Sequence, residues 1–419
     1  MYVRSRILLL MGALLPTTSA LWSVTVKANT LMHSLPAQIT NNAVASVVIN
    51  KKRYVVSFGG LIQEPQKTDS TSAAPLVPTL ATWQLELDID KVDIETVVAK
   101  TMVSKAMVSK TMISEQTATE KTTNGRVMWE KVAALPFSHS SKSAKTESPS
   151  GIIASSAIGV GKWIYYFSGY RIDQDGVEQG ISENYKYDPV SQSFANIAPM
   201  PVPVSDATVI QFSERFIYVF GGWHHSGAVN LTQIYDIQKD EWQQGTPLPI
   251  PGVFGGSAAA VKNNLLFCDG ARTYLYKKRR PIYSNSTKCL LGKITKQDHR
   301  WIQWQPVSHF PDTLGRYKGF YRMAATGIER TNQAVFIGGS THPHNYLGES
   351  LTPGKGVKPS NLLATFDFKH GIWLKTRKEN DASMDHRGAI DMGDGVLRIG
   401  GMSESKKATA NVIFTPLKK

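Results

Sequence analysis

The stretch FIYVFGG, Phe216–Gly222, is a run of five apolar or aromatic residues that stops on two glycines. Variants of it recur as RYVVSFGG (Arg53–Gly60), WIYYFSG (Trp163–Gly169), NLLFCDG (Asn264–Gly270), QAVFIGG (Gln333–Gly339) and VLRIGG (Val396–Gly401), six copies in all. Most copies are followed by an aromatic and, seven positions on, a proline: Trp129 with Pro136, Phe194 with Pro201, Trp242 with Pro249, Trp304 with Pro311. Just upstream lie runs of small residues, IIASSAIGV (Ile152–Val160), GGSAAAV (Gly255–Val261) and MAATGI (Met323–Ile328). A unit of about 45 to 70 residues with several short strands is too large for a solenoid coil and suits one propeller blade. The apolar run reads as a strand sandwiched between neighbouring blades, the glycines as a sharp turn where a side chain would clash, and the small-residue run as the strand nearest the axis.

Within the units, Tyr187-Asp188, Tyr235-Asp236 and Phe366-Asp367 each stand seven residues before the unit's aromatic, Phe194, Trp242 and Trp373. This combination resembles the kelch motif, in which a diglycine ends the second strand and spaced aromatics pack between blades. The resemblance implies an all-β, six-bladed kelch-type β-propeller over residues 29–419. The last unit supplies three strands, and MHSLP (Met32–Pro36) matches the fourth-strand endings AALP (Ala133–Pro136) and TPLP (Thr246–Pro249), so an N-terminal strand is expected to complete the last blade and leave no open edge.

Ahead of that strand, Arg4 and Arg6 precede the apolar stretch Ile7–Leu15 and the small residues Thr18-Ser19-Ala20. This is the layout of a secretory signal peptide over 1–28, cleaved after Ala20 or Ala28, and it predicts a periplasmic or secreted protein with no stable membrane insertion after cleavage. The first unit carries a low-complexity insert at about 91–126 containing the tandem pentapeptide KTMVSKAMVSKTMIS (Lys100–Ser114), whose period fits neither helix nor strand and reads as an exposed excursion, with a long hairpin as the alternative. Cys268 and Cys289 fall in successive strand candidates of the fourth unit; a disulfide and two buried free thiols are the two readings. No Cys–His spacing suggests a metal, and no cofactor is expected.

The net charge of +14 calls for anionic partners. No nucleic-acid-binding motif is present and export argues against that class, leaving an acidic sugar or glycan, with a protein partner as the alternative. Propeller geometry places the loops after the second strand and those entering the innermost strand around one mouth of the channel. There the sequence sets Arg171, Trp223, Arg272, His342, His344, Asn345 and Tyr346 in the former, and Arg316, Tyr317, Arg322 and Arg387 at or near the latter. Arginine forks take carboxylates in bidentate fashion and aromatic faces stack sugar rings. Arg322 and Arg387 precede innermost strands of consecutive blades, so an anionic ligand, or a carboxylate such as Asp206 reaching across, is expected between them.

The chain is also similar to the N-acetylneuraminate epimerase group of exported kelch propellers, which implies sugar mutarotation or epimerisation. Such a reaction needs an acid and a base near the ring oxygen, and Asp206, His224, His225 and His386 are the candidates. The segment ARTYLYKKRR (Ala271–Arg280), where that group would carry an acid, has no carboxylate. A non-catalytic protein- or glycan-interaction scaffold is the alternative. Phe336–Ser360 is similar to proteins described as galactose-oxidase-like, but a copper radical oxidase is disfavoured because both cysteines lie away from the mouth.

Overall fold

A computed structural model describes residues 30–31, 33–65, 74–89, 128–136, 151–167, 169–172, 177–277, 280–312 and 314–417. The expected signal peptide and the insert at about 91–126 lie outside these residues. The described residues contain no helix; their strands form six antiparallel sheets of four or five strands, plus smaller ones in the loops. In the third blade the order is Thr208–Phe212, Phe216–Phe220, Thr232–Asp236, Glu241–Gln244, each hydrogen-bonded to the next. The innermost strands of the six blades are Ala43–Ile49, Ser156–Val160, Thr208–Phe212, Ser257–Val261, Ala324–Ile328 and Ile390–Asp391, and they are neighbours in cyclic order.

The sixth sheet is completed from the other end of the chain. Its outermost strand is Thr30–Leu31, paired with Phe414 and Ile413 of Val412–Pro416. The closing strand therefore lies just before the expected Met32–Pro36, whose Leu35 is buried and donates its N–H to Ala410 O at 2.8 Å.

Aromatic side chains from the outer strands fill the wedges between blades. Phe194 of blade two meets Phe58 of blade one at 6.1 Å, Trp242 of blade three meets Phe167 of blade two at 5.7 Å, and Trp304 of blade four meets Phe220 of blade three at 5.8 Å. Each ring lies edge-on to its partner, the arrangement favoured by the aromatic quadrupole. The second strands between them are nearly continuous core: all five residues of Phe216–Phe220 are buried, which is why these runs do not alternate.

Gly221 and Gly222 have φ of 61° and 101°, so the strand leaves its blade through two successive left-handed residues that only glycine adopts freely. Blade four departs from this with Asp269, also left-handed at φ 67°. Aspartate tolerates that region better than most residues, and here its carboxylate is used. It accepts from His309 Nε2 at 2.6 Å and from the Phe320 N–H at 3.1 Å, tying the fourth blade to the connection that leads into the fifth. Burial alone would lower the His309 pKa; the adjacent carboxylate more than offsets this and raises it.

Candidate functional site

Where each chain enters an innermost strand it passes through one left-handed residue: Asn41, Ala154, Asp206, Gly255, Arg322 and Asp385, with φ between 52° and 66°. Main-chain bonds link five of these entrances in a row around the axis: Asp206 N–H to Ala154 O (3.0 Å), Gly255 to Asp206 O (2.7 Å), Arg322 to Gly255 O (2.9 Å), His386 to Arg322 O (3.2 Å). Glycine is required at 255, because a Cβ there would come within 2.0 Å of Tyr321 Cε2.

The polar members of this ring turn their side chains on each other. Arg322 donates to Asp206 Oδ2 and, at 2.6 Å, to Asp385 Oδ1. Arg387 Nη2 stands 2.8 Å from Asp206 Oδ1 and also donates to Asn41 Oδ1. Asp385 Oδ2 accepts from Thr40 (2.5 Å) and Asn41 (2.6 Å). Two guanidiniums and two carboxylates thus form a network of zero net charge, nearly all of it buried. Burial alone would raise the Asp385 pKa; Arg322 and then Arg387 more than offset it and hold the carboxyl below the ordinary range. The partner expected between Arg322 and Arg387 is therefore Asp206, joined by Asp385, which the sequence reading did not single out although it stands one residue before His386.

The loop of blade five over residues 340–360 lies above this network. Thr352 Oγ1 donates to Tyr283 O of blade four (2.6 Å), Glu349 pairs with Lys406 of blade six (2.7 Å), and Tyr346 packs against the cluster of Leu61, Ile153, Ala154 and Tyr170 on the far side. His344 is fully buried edge-on to Tyr321 at 5.1 Å; burial, then Arg322, lowers its pKa to about 4. His342 hydrogen-bonds Gly356 O, and Asn345 accepts from the N–H groups of Leu347 and Glu349. His386 bonds Ser383 Oγ at 2.8 Å, and burial, then Arg398, lowers its pKa to about 3. These side chains hold the cap and the ring together.

The remaining candidates spread over the loop face. Arg171 donates twice to Gln179 Oε1 across its own hairpin. Trp223 is half-buried against Phe254 and Tyr283. His224 bonds Ser226 and lies against His225, with ring centroids 3.8 Å apart; partial burial, then His225, lowers the His224 pKa. Arg316 pairs with Asp312, and Tyr317 bridges Pro311, both in the connection between blades four and five rather than in the axial ring.

Arg272 lies at the base of the long blade-four hairpin, Ala271–Lys277 with Arg280–Asn285, and its buried Nε has no hydrogen-bond partner among the described residues. Along that hairpin Tyr274 and Tyr276 are 65% and 70% exposed, and Lys277 is exposed. Glu178, on the blade-two hairpin, is a further group that the sequence reading missed. Partial burial, then Asp206, raises its pKa, with Tyr170 as its hydrogen-bond partner. Its signal in the sequence is slight, a carboxylate nine residues past Gly169 and behind Asp173 and Asp175.

Blade architecture, diglycine turns and inter-blade aromatics together make the fold a β-propeller. One of its blades carries a kelch motif. The kelch motif is matched over residues 217–249. Kelch-like protein 15 of Mus musculus is 31% identical over 114 residues, 27% of this chain and 18% of that protein, so the chain spans under a fifth of that relative's length. N-acetylneuraminate epimerase 1 of Escherichia coli O6:H1 is 26% identical over 138 residues, 30% of this chain and 36% of that protein. The solved structure of YjhT superimposes with a TM-score of 0.61 at 12% identity, covering 93% of this chain and 97% of that one, a likeness of fold. The propeller's cysteines are bonded: Cys268 and Cys289 face each other on neighbouring strands of blade four, with Cα atoms 4.2 Å apart.

Proposed function

We propose that this is an exported propeller that binds an acidic glycan on its loop face, with the blade-four hairpin as the main contact. The observation that carries this reading is the hairpin itself. Tyr274 and Tyr276 offer exposed aromatic faces beside Lys277, and Arg272 keeps an unpartnered Nε at the base. Aromatic faces stack on the apolar faces of sugar rings, and guanidinium forks take carboxylates. The likeness to N-acetylneuraminate epimerase 1 supports an acidic sugar as the ligand class. The axial arginines take no part, because their charge is already balanced within the fold. The test is affinity electrophoresis in gels containing polygalacturonate. Retardation is expected for the wild type and is lost in Tyr274→Ser/Tyr276→Ser; equal retardation of both proteins overturns the reading.

Glu178 favours a second reading, anomer interconversion at the same face. Its pKa is raised by partial burial and then by Asp206, and a carboxyl can act as general acid or base at a sugar's ring oxygen. Exchange between the anomers of N-acetylneuraminate, followed by NMR, would be accelerated by the wild type and not by Glu178→Gln; no acceleration by the wild type leaves the binding reading alone.

A further inference from the structure

The other end of the propeller axis is built differently. Below the ionic ring lies a cavity of about 580 Å³ that runs along the innermost strands. Arg322, Asp206, His386 and Arg387 line its floor, and at its far end the lining includes Glu214 and Glu329 from the short turns that join first and second strands. Closed at the loop face by the ring and its cap, the cavity is entered from the face of those turns. A five-residue strand is about 17 Å long, which sets the depth.

We propose that this cavity binds a linear aliphatic polyamine. About half of the wall residues are alanine, glycine and valine, whose small side chains leave a narrow bore. Three of the wall hydroxyls bond within the protein: Ser257 Oγ donates to Met323 O at 3.0 Å, Ser46 Oγ accepts from Arg53 at 3.3 Å and Thr326 Oγ1 donates to Gly327 O at 3.5 Å.

Charge selects a cation over an anion. At the floor the lining sets Asp206 against Arg322 and Arg387, and Asp385 buried behind them makes the network neutral. Toward the mouth the lining carries Glu214, Glu329 and Asp391 against Arg53 alone, in a chain whose net charge is +14. Arg53 is already committed, donating to Asp391 O at 2.9 Å. Lysines of the same turns, Lys51, Lys162 and Lys262, do not line the cavity, and Lys162 lies over Trp163 at 5.0 Å. Burial raises the Asp391 pKa, while the Gly393 N–H, Arg53 and the Glu329 N–H work against it and the Glu329 carboxylate adds a smaller push upward.

The site is separate from the glycan face, and its test stands apart from that of the proposed function. Spermidine titrated calorimetrically into the full chain at pH 7 should bind saturably at one site, whereas 1,8-octanediol, linear and uncharged, should not. Glu329→Gln/Asp391→Asn, which changes only the mouth, should weaken spermidine by about tenfold or more. Thr326→Phe, which fills the half-buried wall, should abolish binding while the melting temperature shows that the variant is folded. Absence of binding by the wild type overturns the proposal, as does binding at many sites. So does spermidine binding that survives Thr326→Phe in a folded protein, since the cation would then sit on the surface; if that variant fails to fold, the mouth variant decides, and unchanged affinity there overturns it.

Discussion

The two ends of the propeller axis are made from the same innermost strands and end in opposite chemistry. At the loop face the strands begin in left-handed residues whose side chains interlock as a buried, neutral network under a packed cap. At the turn face the strands end in short hairpins and the axis stays open to the cavity. The difference follows from what each end must connect. Entry into an innermost strand brings the chain in from a neighbouring blade, so six backbones converge near the axis and their polar groups must satisfy one another. Tight turns between first and second strands turn back within a blade, so no backbones converge there and only side chains such as Glu214 and Glu329 reach the cavity.

The comparison is easiest to break at the network. Arg322→Ala leaves Asp206 and Asp385 short of their cation in a buried site, and such a loss costs about 3–5 kcal/mol. Urea unfolding should show it, whereas Glu329→Gln at the open end should change stability by less than ~0.5 kcal/mol. Equal, small effects at both ends would mean that the network is solvated and the axis is open throughout. If Arg322→Ala were stable and instead lost only glycan binding, the arginines would be ligand groups rather than braces.

A second, smaller effect lies where blade four meets the loop face. Removing the bond with Cys268→Ala/Cys289→Ala should cost roughly 2–4 kcal/mol. The purified protein should show no free thiol in denaturant without reductant; labelling of two thiols per chain would reject the bridge.

The smallest effect is a pH dependence confined to the capped end. The folded protein holds His344 neutral, with its pKa lowered to about 4 from an ordinary value of 6.5. As pH falls below 6.5 the unfolded chain takes up a proton that the folded chain refuses until about pH 4, so stability declines across that window. His386, lowered to about 3, adds to the decline in the same direction. His344→Gln should flatten part of the fall in melting temperature between pH 6.5 and 4. An unchanged profile would show that the cap opens before His344 titrates.

How much of this was legible in the sequence differs between fold and site. Six diglycine phrases, the small-residue strands and the aromatics at fixed spacing describe a repeated blade, because each is a local answer to a local demand: a left-handed turn, a crowded axis, a wedge to fill. The closing strand was legible only through the Met32–Pro36 ending that follows it, since Thr30–Leu31 has no pattern of its own and is a strand because Val412–Pro416 pairs with it. Asp269 read as a weak copy of Gly-Gly; only the fold shows its carboxylate bound to His309, 40 residues away in sequence.

For the site, sequence alone placed Arg322, Arg387 and Asp206 at strand entrances and foresaw that a carboxylate could join the two arginines. It could not tell a ligand's carboxylate from the protein's own. That choice rests on Asp206 and Asp385 arriving from two different blades, 116 and 63 residues from Arg322, with hydrogen-bonding geometry that no spacing encodes. It also could not show that residues 340–360 pack down as a cap, since the Thr352, Glu349 and Tyr346 contacts are each made to a different blade. Repetition by itself determined the propeller, because a blade's requirements recur along the chain. Which end of the axis is sealed, and which charges are left for a partner, was decided only by the tertiary structure, because it depends on side chains that meet once and belong to no repeat.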